Sequence, residues 1–260
     1  NTNLGPDTIL STSFESEYLS EWSIVEEDEY NLYTSTDAAF WGRNGLEAYI
    51  YGSGDKYVED DTPNAEQEFH VRFYFNPNSL TMAAGDNMTL FNGYASSGLV
   101  LTVQLQPSGG DYQLRVGEKE NSGTWNYSAW STVLDGWNGI EISSIPGAQT
   151  GSLTLSINGT VIAAYTTLTN TNAKIDSVRL GAMDIDTGTR GILSLDDYES
   201  RRYSNIGLLP DTGGQDISYF TPYEVGNRYY NYDRQTHPHA VASMHILQLE
   251  NYPDIYNSYE

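Results

Sequence analysis

Carboxylates are the chief chemical resource of this 260-residue chain, with 35 Asp and Glu against 12 Lys and Arg and a formal net charge of −23. Their oxygens are the hard ligands that calcium selects. The runs Glu59-Asp60-Asp61 and Asp184-Ile185-Asp186-Thr187-Gly188 concentrate them. The second lacks the later glutamate of an EF-hand loop, and both are expected as solvated acidic loops that keep the surface soluble. His237 and His239 flank Pro238, with His245 further on. No carboxylate or cysteine stands at a ligand spacing from them, so packing within a hairpin is expected rather than a transition metal. Trp125, Tyr127 and Trp130 form an aromatic cluster within "GTWNYSAW". Flat rings in alternation in a loop suit the apolar faces of sugars, and the same rings also suit edge-strand packing.

These groups need a scaffold, and the composition supplies one. Hydrophobic residues make up 38% of the chain and aromatic residues 13%, enough to bury a core and too much for a disordered segment. The charge balance repels phosphates and anionic surfaces, which argues against nucleic acid as a partner. No apolar run approaches transmembrane length, so no membrane insertion is expected. Cysteine is absent, which removes disulfides, thiolate metal sites and cysteine nucleophiles.

Period-2 alternation dominates. "EFHVRFYF" (68–75) places Phe69, Val71, Phe73 and Phe75 on one face and His70, Arg72 and Tyr74 on the other, which predicts a strand. "GLVLTVQLQ" (98–106) and "YQLRVGE" (112–118) read as a hairpin about the turn cluster "PSGGD". "GSLTLSINGTVIAAY" turns at Asn158-Gly159, the dipeptide that accepts the positive φ angles of a type I′ turn. Further strands are expected in "TILSTSF", "GLEAYIY", "NMTLFNGY", "NGIEISSI", "KIDSVRLGA" and "GILSLDDYESRRY". Many short strands punctuated by turns indicate an all-β sandwich or jelly roll. The pattern breaks at "LLPDTGGQD". The expected division is a sandwich over 1–207, a linker over 208–218 and a tyrosine-rich tail over 219–260. So small a tail cannot bury a core of its own.

Three stretches, "FESEYLSEW" (14–22), "YVEDDTPNAEQEFHVRFYFNPNSL" (57–80) and "IDSVRLGAMDIDTGTRGILSLDDYESRRYSNIG" (175–207), together resemble a concanavalin A-like (laminin-G/jelly-roll) domain of large secreted bacterial surface proteins. The resemblance implies a structural calcium ion held by the Phe-Glu of the first strand and the Asp-Asp of the last, here Glu15 with Asp196 or Asp197. It also raises glycoside hydrolysis, since such sandwiches include glucanases. Their Glu-x-Asp-x-x-Glu spacing does not occur here. Glu66 and Glu68 share a face, but no second acid completes the pattern. No catalytic residue is assigned, and a non-enzyme is expected. "GNRYYNYDRQTHPHAVASM" resembles a partial YD repeat of Rhs and teneurin-like shells, through Tyr230, Tyr232, Asp233 and Pro238 to Val241.

The leading expectation is a secreted or cell-surface structural and adhesive protein of bacterial type. Its tail, through Tyr229, Tyr230, Tyr232, His239 and Val241, would pair with a neighbouring subunit in an assembly or filament. The alternative is a carbohydrate-binding, lectin-like module of a larger YD-repeat surface protein, using Trp125, Tyr127 and Trp130. A β-glucanase-like hydrolase is the third.

Overall fold

A computed structural model describes residues 6–16, 18–27, 30–210, 230–233 and 243–246. The chain divides into two units, Asn1–Leu208 and Leu209–Glu260. Among the described residues the first has sixteen strands and one 3-10 turn at Thr36–Ala38. One sheet contains β1 (Thr8–Thr12), β3 (Leu32–Ser35), β4 (Gly45–Tyr51), β6 (Phe69–Asn76), β12 (Asn138–Ile145), β13 (Ala148–Ile157), β14 (Thr160–Thr169) and β16 (Arg190–Arg201). The other contains β2 (Ile24–Glu26), β5 (Lys56–Asp60), β7 (Met88–Ala95), β8 (Gly98–Ser108), β9 (Asp111–Lys119), β10 (Trp125–Tyr127), β11 (Ser131–Val133) and β15 (Ser177–Met183).

In the first sheet the order is β14-β13-β12-β6-β16-β4-β3, with β1 also paired to β16. In the second it is β10-β9-β8-β7-β15-β5-β2, with β11 also paired to β9. Strands far apart in sequence are often neighbours in the sheet, as β6 and β16 show. These crossovers and the antiparallel pairing give a jelly-roll-like β-sandwich.

The alternating apolar residues make the core. Phe69, Val71, Phe73 and Phe75 are buried to within 1% of complete, and the rings of Phe73 and Phe91 stack across the sheets at 5.9 Å. Burying each such side chain contributes about 1.5–3 kcal/mol. The hairpin of β13 and β14 turns where expected, with Asn158 at φ 51 and Gly159 at φ 77, both in the left-handed region that a type I′ turn needs. Gly159→Ala should therefore destabilise the domain by about 1–2 kcal/mol, read as a lower urea midpoint with an unchanged slope.

The acidic run at 59–61 departs from the expected solvated loop. Glu59 and Asp60 lie buried in β5. Glu59 accepts from Arg179 Nε at 2.7 Å, and Asp60 Oδ1 accepts from the Thr62 amide and hydroxyl at 2.9 and 2.7 Å, while its Oδ2 is buried without a hydrogen-bond partner. Only Asp61 of the three is exposed. In the 184–188 run, by contrast, Asp184, Thr187 and Gly188 are exposed.

In the second unit, β17 (Tyr230–Asp233) and β18 (Ser243–Ile246) form an antiparallel pair, with Tyr230 opposite Ile246 and Tyr232 opposite Met244. Tyr229, His237, His239 and Val241 lie outside the described residues. Among the described residues no helix is long and apolar enough to cross a membrane.

Candidate functional site

Two groups of side chains on the sandwich have chemistry to offer. The first surrounds the loop at 40–44. β1 lies along β16, with Thr12 opposite Tyr198, so the residues just after β1 stay near the middle of β16. Phe14 turns there with φ 53, and its ring stacks on Trp22, which packs against Tyr198. This aromatic anchor fixes Glu15. On β16 the register with β6 shifts between Asp196 and Glu199, a bulge, and Asp197 takes φ 47. Bulges re-aim side chains in this way.

The three acids then divide the work. Asp196 Oδ2 accepts the amides of Phe40 and Trp41 at 2.7 and 2.9 Å, and its Oδ1 accepts the Asp197 amide at 2.7 Å. Glu15 Oε1 accepts the amides of Arg43 and Asn44 at 2.5 and 3.1 Å. A Cβ at Gly42 would lie 1.9 Å from that oxygen, so the turn needs glycine. Asp197 Oδ2 is buried with no hydrogen-bond partner. Burial raises the Asp196 carboxyl well above its ordinary range, and the neighbouring Asp197 adds to this. Asp197 is pushed up to about 7, chiefly by burial; Arg72 opposes the shift, while Glu15 and Glu199 reinforce it.

Among the described residues no three Asp, Glu or His side chains stand together as a ready metal cage. The oxygens of Asp196 and one of Glu15 are already committed to backbone amides. The orphaned Asp197 Oδ2 is the observation that fits a hard cation, because a buried carboxylate oxygen without a donor favours a positive charge. The remaining ligands would be carbonyls and water.

The second group lies on the outer face of the β10-β9-β8-β7-β15-β5 sheet. Alternation and register place Thr102 opposite Gly117 and Asn92, and Gln104 opposite Arg115. Trp125 and Tyr127 sit on β10 rather than in a loop, paired to Lys119 and Gly117, and Trp130 follows in the turn to β11. The Trp125 and Tyr127 rings stack at 5.6 Å. Tyr127 lies flat over Gly117, where a Cβ would come within 2.4 Å of the ring. The Arg115 guanidinium stands 4.1 Å from the Tyr127 centroid and 4.4 Å from that of Trp130. The expected aromatic cluster is therefore real as a cluster, but an arginine covers part of it. Further along the face, Arg179 lies over the rings of Tyr57 and Tyr94 at 4.4 and 4.8 Å. Between them the floor holds the buried Asn92, whose Oδ1 has no partner.

Arg115, Gln104, Arg179, Tyr57, Tyr94 and Asn92 were not among the residues singled out from sequence. The signal for two of them was available: the hairpin of 98–106 and 112–118 already pairs Gln104 with Arg115 once its turn is set at Gly109-Gly110.

The geometry defines the class, a two-sheet antiparallel β-sandwich. No protein-family model matches the sequence, and no curated protein matches it. Among solved structures, the receptor-binding domain of botulinum neurotoxin type G is similar, with TM-score 0.52 and 10% identity over 75% of this chain and 48% of that one. The binding domain of botulinum neurotoxin DC, solved in complex with rat synaptotagmin II, gives 0.55 and 12% over 75% and 48%. The alginate lyase Aly36B gives 0.56 and 10% over 77% and 99%. At these identities the likeness is one of fold, and the matched part of this chain spans about half the length of those toxin binding domains.

Proposed function

We propose that this chain is a non-catalytic, extracellular binding module that takes a glycan on the outer face of its second sheet. The observation that carries this reading is the strip of partly exposed rings and hydrogen-bonding side chains from Trp125, Tyr127 and Trp130 across Gln104 to Tyr94. Rings supply flat apolar area and the amide supplies donors and acceptors, the combination by which sugars are held. Support also comes from the neighbours, since receptor-binding domains and a polysaccharide lyase are built on this sandwich. The reading includes a concanavalin A-like affiliation, a secreted or cell-surface location, and a structural calcium ion beside Asp197 that would tie β16 to the 40–44 loop. A glycan array with the whole chain tests it. Trp130→Ala should weaken the best hit at least tenfold, which corresponds to about 1.4 kcal/mol, while leaving the thermal midpoint within a few degrees. Absence of binding to any glycan would remove the reading.

A second reading, assembly through a YD-repeat-like tail, is favoured by the β17–β18 pair. A two-stranded hairpin is marginal alone in water, and strand edges without partners recruit other strands. Removing residues 209–260 should then convert an oligomer to a monomer on sizing chromatography. An unchanged elution volume would count against it.

A further inference from the structure

Arg115 and Lys119 are cations on this face that no ion pair among the described residues neutralises, and Arg115 is the one held by its neighbours. The arginine ion pairs among the described residues engage Arg72, Arg179, Arg201 and Arg202. Arg115 instead donates Nε and Nη2 to one neutral atom, Gln104 Oε1, at 2.9 and 2.7 Å. That leaves Nη1 without a partner among the described residues. The guanidinium is held in place by Gln104 below and by Tyr127 and Trp130 at its faces, so little side-chain freedom remains to be lost on binding. By alternation, Lys119 points to the same side of β9, beside Trp125. From Gln113 to Lys119 on β9, from Thr102 to Gln106 on β8, and along β10, no outward position is acidic. In a chain with 35 acids and 12 Lys and Arg, these two cations have no acid among their outward neighbours on β8, β9 and β10. The net negative charge elsewhere is damped over about 8 Å at physiological salt, whereas a contact with a fixed arginine is not.

Resting on the glycan-binding reading, we infer that this site selects carboxylate-bearing sugars, with Arg115 as the residue that reads the carboxylate and Trp125 beside it as the stacking ring. A planar guanidinium fixed in one orientation, with N–H groups to spare, matches a carboxylate in a way a lysine does not. A neutral glycan would leave that charge without its complement.

The test uses the full chain and paired probes: oligosaccharides carrying uronate or sialate carboxyls, each beside its carboxyl-reduced counterpart, on one array and then by calorimetry. The carboxylated member should bind at least tenfold more tightly, and the preference should shrink as salt is raised. Arg115→Gln should abolish the preference, and Arg115→Lys should restore only part of it. The ligand-side comparison stands even where a variant is unstable. Equal binding of both members of each pair would overturn the inference while leaving a glycan-binding module. Binding of neither member, with neutral glycans also silent, would remove both readings.

Discussion

Glu118→Gln is expected to stabilise the domain by about 3 kcal/mol at pH 8 and by almost nothing near pH 4. Glu118 lies on β9 opposite Leu101 and points into the sandwich, where it is 1% exposed. Ser144, across the core on β12, donates to its Oε1 at 2.5 Å, and its Oε2 is buried with no partner. Burial raises the carboxyl from 4.5 to about 7, against the opposing hydrogen bond from Ser144. Folding therefore favours the protonated acid. Its contribution is complete below pH 4.5, falls as pH rises from 4.5 to about 7, and stays at its reduced level above that. Each pKa unit corresponds to about 1.4 kcal/mol, which sets the size of the effect. Glutamine keeps the shape and an acceptor for Ser144 but carries no charge to desolvate. Urea midpoints of both proteins from pH 4 to 8 isolate this group, because other buried acids shift both curves alike. A difference between the two that does not change with pH would show that Glu118 does not titrate in that window.

Glu118 also shows where sequence reading stops. "YQLRVGE" was legible as a strand, and its alternation puts Leu114, Val116 and Glu118 on one side. What alternation cannot show is which residue of a distant strand stands across the core, and Ser144 arrives there only through the stacking of two sheets. The long strands were legible because each carries several periods of alternation, and Asn158-Gly159 marked its turn. β2, β10 and β11, at three residues each, are too short to show a period. β5 was hidden for a different reason: its buried Lys56, Glu59 and Asp60 read as solvent-facing until Arg179 and Thr62 are known to meet the two acids. The aromatic cluster was visible as composition, but its arginine was not, since Arg115 joins it through strand pairing. For Glu15, Asp196 and Asp197 the resemblance named the residues. The bulge that turns Asp197 away from the ladder, and the amides that occupy Asp196, are properties of the folded chain.

Calcium should raise the thermal midpoint at pH 8 by roughly 5–10 °C, and the rise should vanish in Asp197→Asn. A ligand present at a hundred times its dissociation constant stabilises the folded state by about 2.7 kcal/mol. For a domain of this size each kcal/mol is worth about 2–4 °C. The expected loss in Asp197→Asn rests on its unpartnered, buried Oδ2, which Glu15 and Asp196 at this site do not share. The pH dependence separates a cation at this place from one bound to the acidic surface. Without calcium, a carboxyl pushed up to about 7 contributes most to stability below its ordinary value of 3.8 and progressively less as pH rises towards 7. A bound cation needs the ionised form, so its stabilisation must grow over that same interval. Calcium should thus do little at pH 5 and most at pH 8. Asp197→Asn, with no charge to desolvate, should be the more stable protein in chelator and the less stable one in calcium. Surface binding by a chain of net charge −23 would be nearly insensitive to Asp197 and would fade with added salt. Coincident melting curves in calcium and chelator at pH 8 would mean that Arg72, the one charge opposing the upward shift of Asp197, is the only counter-charge this carboxylate has.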